Sequence, residues 1–153
     1  TLRNMPSTRL AAPEDLSGLA ALYQSLRPLD IPLQEDTHAH LLSNLSCDPR
    51  TRLVVQDVGG ELVATCMLAI VPNLAHGGRP FGLIEHVVTL PAWREQGHAR
   101  AVLQAALDHA WSANCYKVML LSGMTLAPAH RLYESVGFRG DVERGFVVKP
   151  LSR

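Results

Sequence analysis

The sequence has no excess of charge: fourteen basic and fourteen acidic side chains among 153 residues give a formal net charge of zero. That balance excludes long-range attraction to a nucleic acid or an anionic membrane surface, so any phosphate site must be built locally. Cysteine is scarce. Cys47, Cys66 and Cys115 are odd in number and lack metal-ligand spacing, which points to reduced, structural thiols. No apolar run approaches the length of a membrane span, and the N-terminus lacks the charged-then-apolar pattern of a secretion signal. A cytoplasmic protein is expected, although Thr1 is not an initiator residue. There is no internal repeat and no low-complexity tract.

What is present is enough apolar residue, 47% of the chain, to bury a real core, and the length suits one domain over residues 1–153. Residues 7–10 read as a short strand. Pro13-Glu14-Asp15 opens a helix whose apolar positions Leu16, Leu19, Ala20, Leu22, Tyr23 and Leu26 share a face, and Pro28 ends it. After a loop, 35–45 reads as a second helix, stopped before Asp48-Pro49. Residues 52–58 and 61–71 flank Gly59-Gly60, a pair that accepts positive φ, and so read as a β-hairpin. The 72–80 loop carries Gly77-Gly78 and should be flexible.

The centre of the chain is the stretch 83–111. Residues 83–90 are mostly apolar and β-branched, and Pro91 ends that strand. After Gly97 the positions Val102, Leu103, Ala106, Leu107, Ala110 and Trp111 recur at helical spacing. The turn between should bind an anion. Gly97 lets backbone approach a ligand closely, His98 and Ala99 keep that approach open, and the first helical N–H groups carry the positive end of the helix dipole. Arg94 and Arg100 add fixed positive charge. Residues 117–121 then read as a buried parallel strand beside 83–90, making a right-handed crossover. A last helix over 128–136, closed by Gly137, and a strand at 146–149 complete the chain. The element order predicts an α+β fold: a mixed, mostly antiparallel central sheet flanked by about four helices.

Two motifs go further. Thr89-x-Pro91-x-x-Arg94-x-x-Gly97-x-Ala99 after a strand resembles the acyl-CoA-binding motif of the GNAT N-acetyltransferase superfamily. Ala129-His-Arg-Leu-Tyr133-Glu-Ser-Val-Gly137-Phe138 resembles that superfamily's last helix and the turn leaving it. The resemblance covers nearly the whole chain and implies the GNAT fold, with its two central parallel strands splayed into a wedge for the pantetheine arm of acetyl-CoA. By that resemblance, main-chain groups of Val87, Val88 and Thr89 pair with the arm. Those of Glu95, Gln96, Gly97, His98, Ala99 and Arg100 hold the pyrophosphate, with Arg94 beside them. The first two helices and their linker roof the acceptor site, and a homodimer is the usual assembly. One departure is Ala129, where relatives often carry a cofactor-bonding Asn.

Acetyl transfer to an amine needs a base, because an alkylamine such as lysine, with a pKa of about 10.4, is mostly ammonium at neutral pH. Glu85 is the candidate. Strand alternation puts it on one face with Leu83 and Val87, a carboxylate desolvated among apolar neighbours and thereby a stronger base. It stands where many GNAT enzymes carry a catalytic glutamate. Tyr133 is the candidate acid, since a phenol (pKa about 10) can protonate a departing thiolate (thiol pKa about 8.5), the role of the matching tyrosine in the family. The competing readings are a solvated Glu and a core aromatic. A backbone N–H near Val87 suits the oxyanion. His86 should face away from Glu85, as packing first and as an alternative base second.

No metal is expected: His38 and His40, two apart on a helix, do not share a face, and His76 lies in a separate loop. Met67, Met119 and Met124 read as core filler. The leading function is N-acetyl transfer from acetyl-CoA to a small-molecule amine. Residues 83–89 and 114–121 look similar to glucosamine-6-phosphate N-acetyltransferases, whereas Asp48-Pro49 and the loop before Glu85 look similar to aminoalkylphosphonate acetyltransferases. Both acceptors are anionic, and Arg79, Arg27 or Arg50 are the residues to meet them. The alternatives are a protein or peptide N-acetyltransferase and a non-catalytic acyl-CoA-binding regulatory module. A DNA-binding regulator lacks its basic face.

Overall fold

The computed structural model describes residues 4–152. The chain divides into two compact units, one ending at Leu120 and the other beginning at Leu121.

The first unit is a five-stranded sheet in the order β1 (Pro6–Leu10), β2 (Thr51–Val58), β3 (Glu61–Val71), β4 (Phe81–Thr89) and β5 (Val118–Leu120). The first three pairings are antiparallel and β4–β5 is parallel. Gly59 and Gly60 turn the β2–β3 hairpin at φ 63° and 93°, the left-handed values that glycine takes without a Cβ penalty. Alternation along the strands sends Leu53, Val55, Leu62 and Val88 into a core under α1 (Leu16–Leu26) and α2 (Glu35–Cys47), where they meet Leu19, Leu22 and Leu42. The intervening positions face α3 (His98–Ser112), whose Val102, Leu103, Ala106 and Ala110 are buried. There the Cys66 thiol donates to the Val102 carbonyl at 3.4 Å. Trp111, expected on that buried stripe, is instead half exposed at 51%. The stripe has already rotated off the sheet by the last turn of the helix.

A clasp fixes where α1 leaves β1. The Arg9 guanidinium donates to both Asp15 carboxylate oxygens at 2.6 and 3.0 Å and to Asp57 at 3.0 Å, while Asp15 also accepts the Ala12 N–H at 2.7 Å. The Arg9 hydrogen bonds hold the Asp15 carboxyl below the usual carboxylate range. A depressed folded-state value adds stability above the unfolded pKa of about 3.9, and that stability is lost as pH falls through the folded value. Asp15→Asn should therefore cost about 1–2 kcal/mol at pH 7, discounted for the partly exposed Arg9. In urea unfolding the gap between the variant and the parent should narrow at pH 3; a gap unchanged with pH would refute the clasp.

The 72–80 loop is tied down despite its glycines. Arg79 donates to the Asn114 and Cys115 carbonyls, each at 3.2 Å, and the His76 ring stacks on Tyr116 at 3.8 Å.

In the second unit, α4 (Ala127–Ser135) ends in a Schellman turn. The Phe138 N–H donates to the Tyr133 carbonyl at 3.1 Å and the Gly137 N–H to Glu134 at 3.0 Å, with Gly137 at φ 102°. The Tyr133 and Phe138 rings pack edge to face at 6.2 Å, the apolar contact that accompanies such a turn. Residues 146–149 are not a strand: they are irregular, and Phe146 and Val148 are 87% and 95% exposed. A short apolar run without a partner strand does not form a stable strand by itself. Met124, read as core filler, is exposed as well.

Candidate active site

The site is built on β4, which changes character halfway along. Its parallel pairing with β5 runs Gly82–Val118, Leu83–Met119 and Ile84–Leu120, and there β5 ends. Within the sheet, residues 85–89 keep β3 on one side and have no strand on the other. Because β5 is only three residues long, its side chains are half-buried rather than fully buried.

On the β3 side the register shifts: Val88 pairs with Thr65 and Glu85 with Met67, so Cys66 alone opposes His86 and Val87. This is a β-bulge, and His86 absorbs it at φ 55°. The bulge corrects two expectations. Glu85 does share a face with Leu83, but the next residue on that face is Val88, which joins the core under α1 and α2, and not Val87. His86 does not turn away from Glu85. Its ring packs edge-on against Tyr23 of α1, centroids 6.0 Å apart, and lines a cavity of about 370 Å³ between α1 and the 27–34 loop. Glu85 is exposed rather than sealed among apolar side chains. Burial, with a smaller contribution from Cys66, pushes the Tyr23 phenol up to about 12.

Beyond β4, the chain makes one turn of 3₁₀ helix (Pro91–Trp93) and enters the anion turn. Glu95 at φ 59° and Gly97 at φ 84° are left-handed, and α3 starts at His98. No side chain caps that N-terminus, so its first N–H groups remain available to a ligand. Arg94, Glu95, Gln96 and Arg100 are exposed, Ala99 is half-buried, and His98 is buried with its ring edge-on to Trp93 at 5.7 Å. Thr89 Oγ1 is buried and has no hydrogen-bond partner among the described residues. An orphaned hydroxyl, an open strand edge and an uncapped, glycine-led helix start fit an extended ligand with amide and phosphate groups.

Of the three arginines expected to meet an anionic acceptor, Arg79 is spent on backbone carbonyls and Arg50 on Asp48 at 3.2 Å. Arg27 lines the cavity, 4.0 Å from Asp30. Tyr133 lies on α4 of the second unit. Tyr23, one more apolar position of a helix face in the sequence, and His86 take a larger place in the site than their local pattern suggests. No local signal marks the bulge, which depends on the register with β3.

The chain belongs to the acetyltransferase (GNAT) family, whose sequence profile matches residues 19–138, and it is an acyltransferase of that family. It is similar to a solved structure from Agrobacterium tumefaciens str. C58 described as a candidate acetyltransferase, with 42% identity and TM-score 0.88 over 94% of this chain and 99% of that one. A Trypanosoma brucei acetyltransferase structure matches at 28% identity and TM-score 0.80 over 95% and 100% of the two chains. A glucosamine 6-phosphate N-acetyltransferase of Trypanosoma brucei brucei is 35% identical over 89 residues, 58% of either chain. The match thus spans little more than half the length of that relative. No helix among the described residues is long and apolar enough to cross a membrane.

Proposed function

We propose that this chain moves an acetyl group from acetyl-CoA to the primary amine of a small molecule, an amino sugar phosphate foremost. The observation that carries the reading is the end of β4–β5 pairing at Ile84, one residue before Glu85, on a strand that runs on into the uncapped start of α3. On this reading the free edge of Val87, Val88 and Thr89 binds the pantetheine amides. The turn from Arg94 to Arg100, through Glu95, Gln96, Gly97, His98 and Ala99, holds the pyrophosphate. A family match that includes residues of both units supports their working as one domain. The amino sugar phosphate is supported by the name of the trypanosomal relative and by Arg27 at the cavity, where a loose pair with Asp30 can be exchanged for a phosphate.

Across the reaction, the acceptor nitrogen of R–NH3⁺ loses two protons and bonds to the acetyl carbon. The C–S bond breaks with its electron pair going to sulfur, and sulfur gains one proton. Glu85 takes a proton from nitrogen, a backbone N–H near Val87 faces the oxyanion, and Tyr133 gives the proton to sulfur.

Thiol release from acetyl-CoA across amino sugar phosphates, amino sugars, aminophosphonates, polyamines and aminoglycosides tests the reading. Turnover confined to amino sugar phosphates is expected, and CoA binding without turnover on any of these amines would refute it. Tyr133→Phe keeps the ring on Phe138 and should lower kcat about tenfold or more. An unchanged kcat would remove Tyr133 as the acid.

A further inference from the structure

We propose that His86 is a second proton acceptor in this site, taking the proton of the bound ammonium while Glu85 takes the proton that leaves as the C–N bond forms. The inference rests on the acetyl-transfer reading above and deepens it.

Three observations converge on His86. The first is its backbone. A histidine at φ 55° is held in a region that costs a non-glycine residue about 1 kcal/mol or more, and such strain persists where the surrounding structure imposes it, often at working sites. The second is direction. Without the bulge, neighbours on a strand point to opposite faces; with it, Glu85 shares the face of Met67 and Val88 under α1, and His86 also reaches α1. Two adjacent proton acceptors thus serve one side of the sheet. The third is placement. His86 borders the 370 Å³ cavity beside α1, while Glu85 is exposed to solvent.

The chemistry calls for two acceptors. Nitrogen must shed two protons and sulfur needs only one, so one proton leaves the site for water. A neutral imidazole bordering the cavity has a ring nitrogen with a free lone pair, which can take the first proton. Exposed Glu85 can then pass the second proton to solvent, and the proton taken by His86 returns through solvent to the Tyr133 phenolate, so each turnover releases one proton. The ionisable groups around His86 are Tyr23 on α1, Arg27 and Asp30 on the following loop, and Glu85 on its own strand. From β3 come Met67 opposite Glu85 and Cys66 opposite the bulge, the latter with its thiol directed to Val102 of α3. Tyr23 stays a neutral phenol through the working range and acts as the edge against which the imidazole is set.

The test is His86→Asn, because asparagine tolerates left-handed backbone and hydrogen-bonds but cannot accept a proton. With whichever amine the panel identifies, kcat should fall 10- to 100-fold. The rise of kcat/KM with pH should change shape, while calorimetric CoA affinity stays as in the parent. If His86→Asn turns over within twofold of the parent with the same profile, this inference fails and the acetyl-transfer reading stands. If the parent binds CoA but acetylates no amine, both fail.

Discussion

Glu85→Gln is expected to lower turnover by about 100- to 1,000-fold while leaving CoA affinity unchanged. The amide keeps the size and hydrogen-bonding reach of the carboxylate but cannot accept a proton. Glu85 pairs with Met67 across β3 and is exposed, so no buried ion pair or core contact is lost with the charge. The edge proposed to bind the cofactor begins beyond it and consists of backbone. A drop of that size corresponds to about 3–4 kcal/mol at the transition state, far more than any folding effect of an exposed Glu→Gln change. Steady-state thiol release gives the rate and calorimetry gives the CoA affinity. A retained rate, or an equal loss of CoA binding, would remove Glu85 as a base. Comparison with His86→Asn is informative in itself: two acceptors that divide two deprotonations should each lower the rate, with different changes in pH profile.

Gly97→Val should weaken CoA binding by more than tenfold. Gly97 sits at φ 84° directly before α3, a conformation that a β-branched residue adopts only under strain of roughly 1–2 kcal/mol. No atom of the protein lies within 4 Å of where its Cβ would be. The side chain would therefore project into open space, where the ligand phosphates are proposed to approach, rather than into the fold. Relief of the strain would unwind the first turn of α3 and scatter the N–H groups that face the anion. Gly97→Asn separates the two causes, because Asn accepts the left-handed backbone yet still adds bulk. If Asn binds CoA as glycine does and Val does not, backbone strain is the cause; if both fail, close approach is. Normal affinity in both variants would place the pyrophosphate elsewhere.

What was legible in the sequence was what local chemistry dictates. Gly59-Gly60 between two β-rich runs fixes a hairpin whatever lies around it, Gly97 before a helical stripe fixes the left-handed turn into α3, and Gly137 fixes the end of α4. What was not legible depends on partners. The bulge at His86 exists only in the register with β3, so counting alternate residues from Leu83 placed Val87 where Val88 is. The same limit made a strand of 146–149, where a short apolar run lacks a paired neighbour. Tyr23 read as one more apolar position because its role depends on the ring that faces it across the cavity.

The half-paired strand also bears on how the protein survives in a concentrated solution. Residues 85–89 offer a row of backbone donors and acceptors in mid-sheet, with β-branched Val87, Val88 and Thr89 among them, and such a row is a template for a foreign strand. A ligand that docks along it occupies the template. At a hundredfold excess over its dissociation constant, that ligand also adds about 2.7 kcal/mol to the folded state. The supply of acyl donor would then set resistance to aggregation as well as rate, and the chain would be most fragile when it is idle.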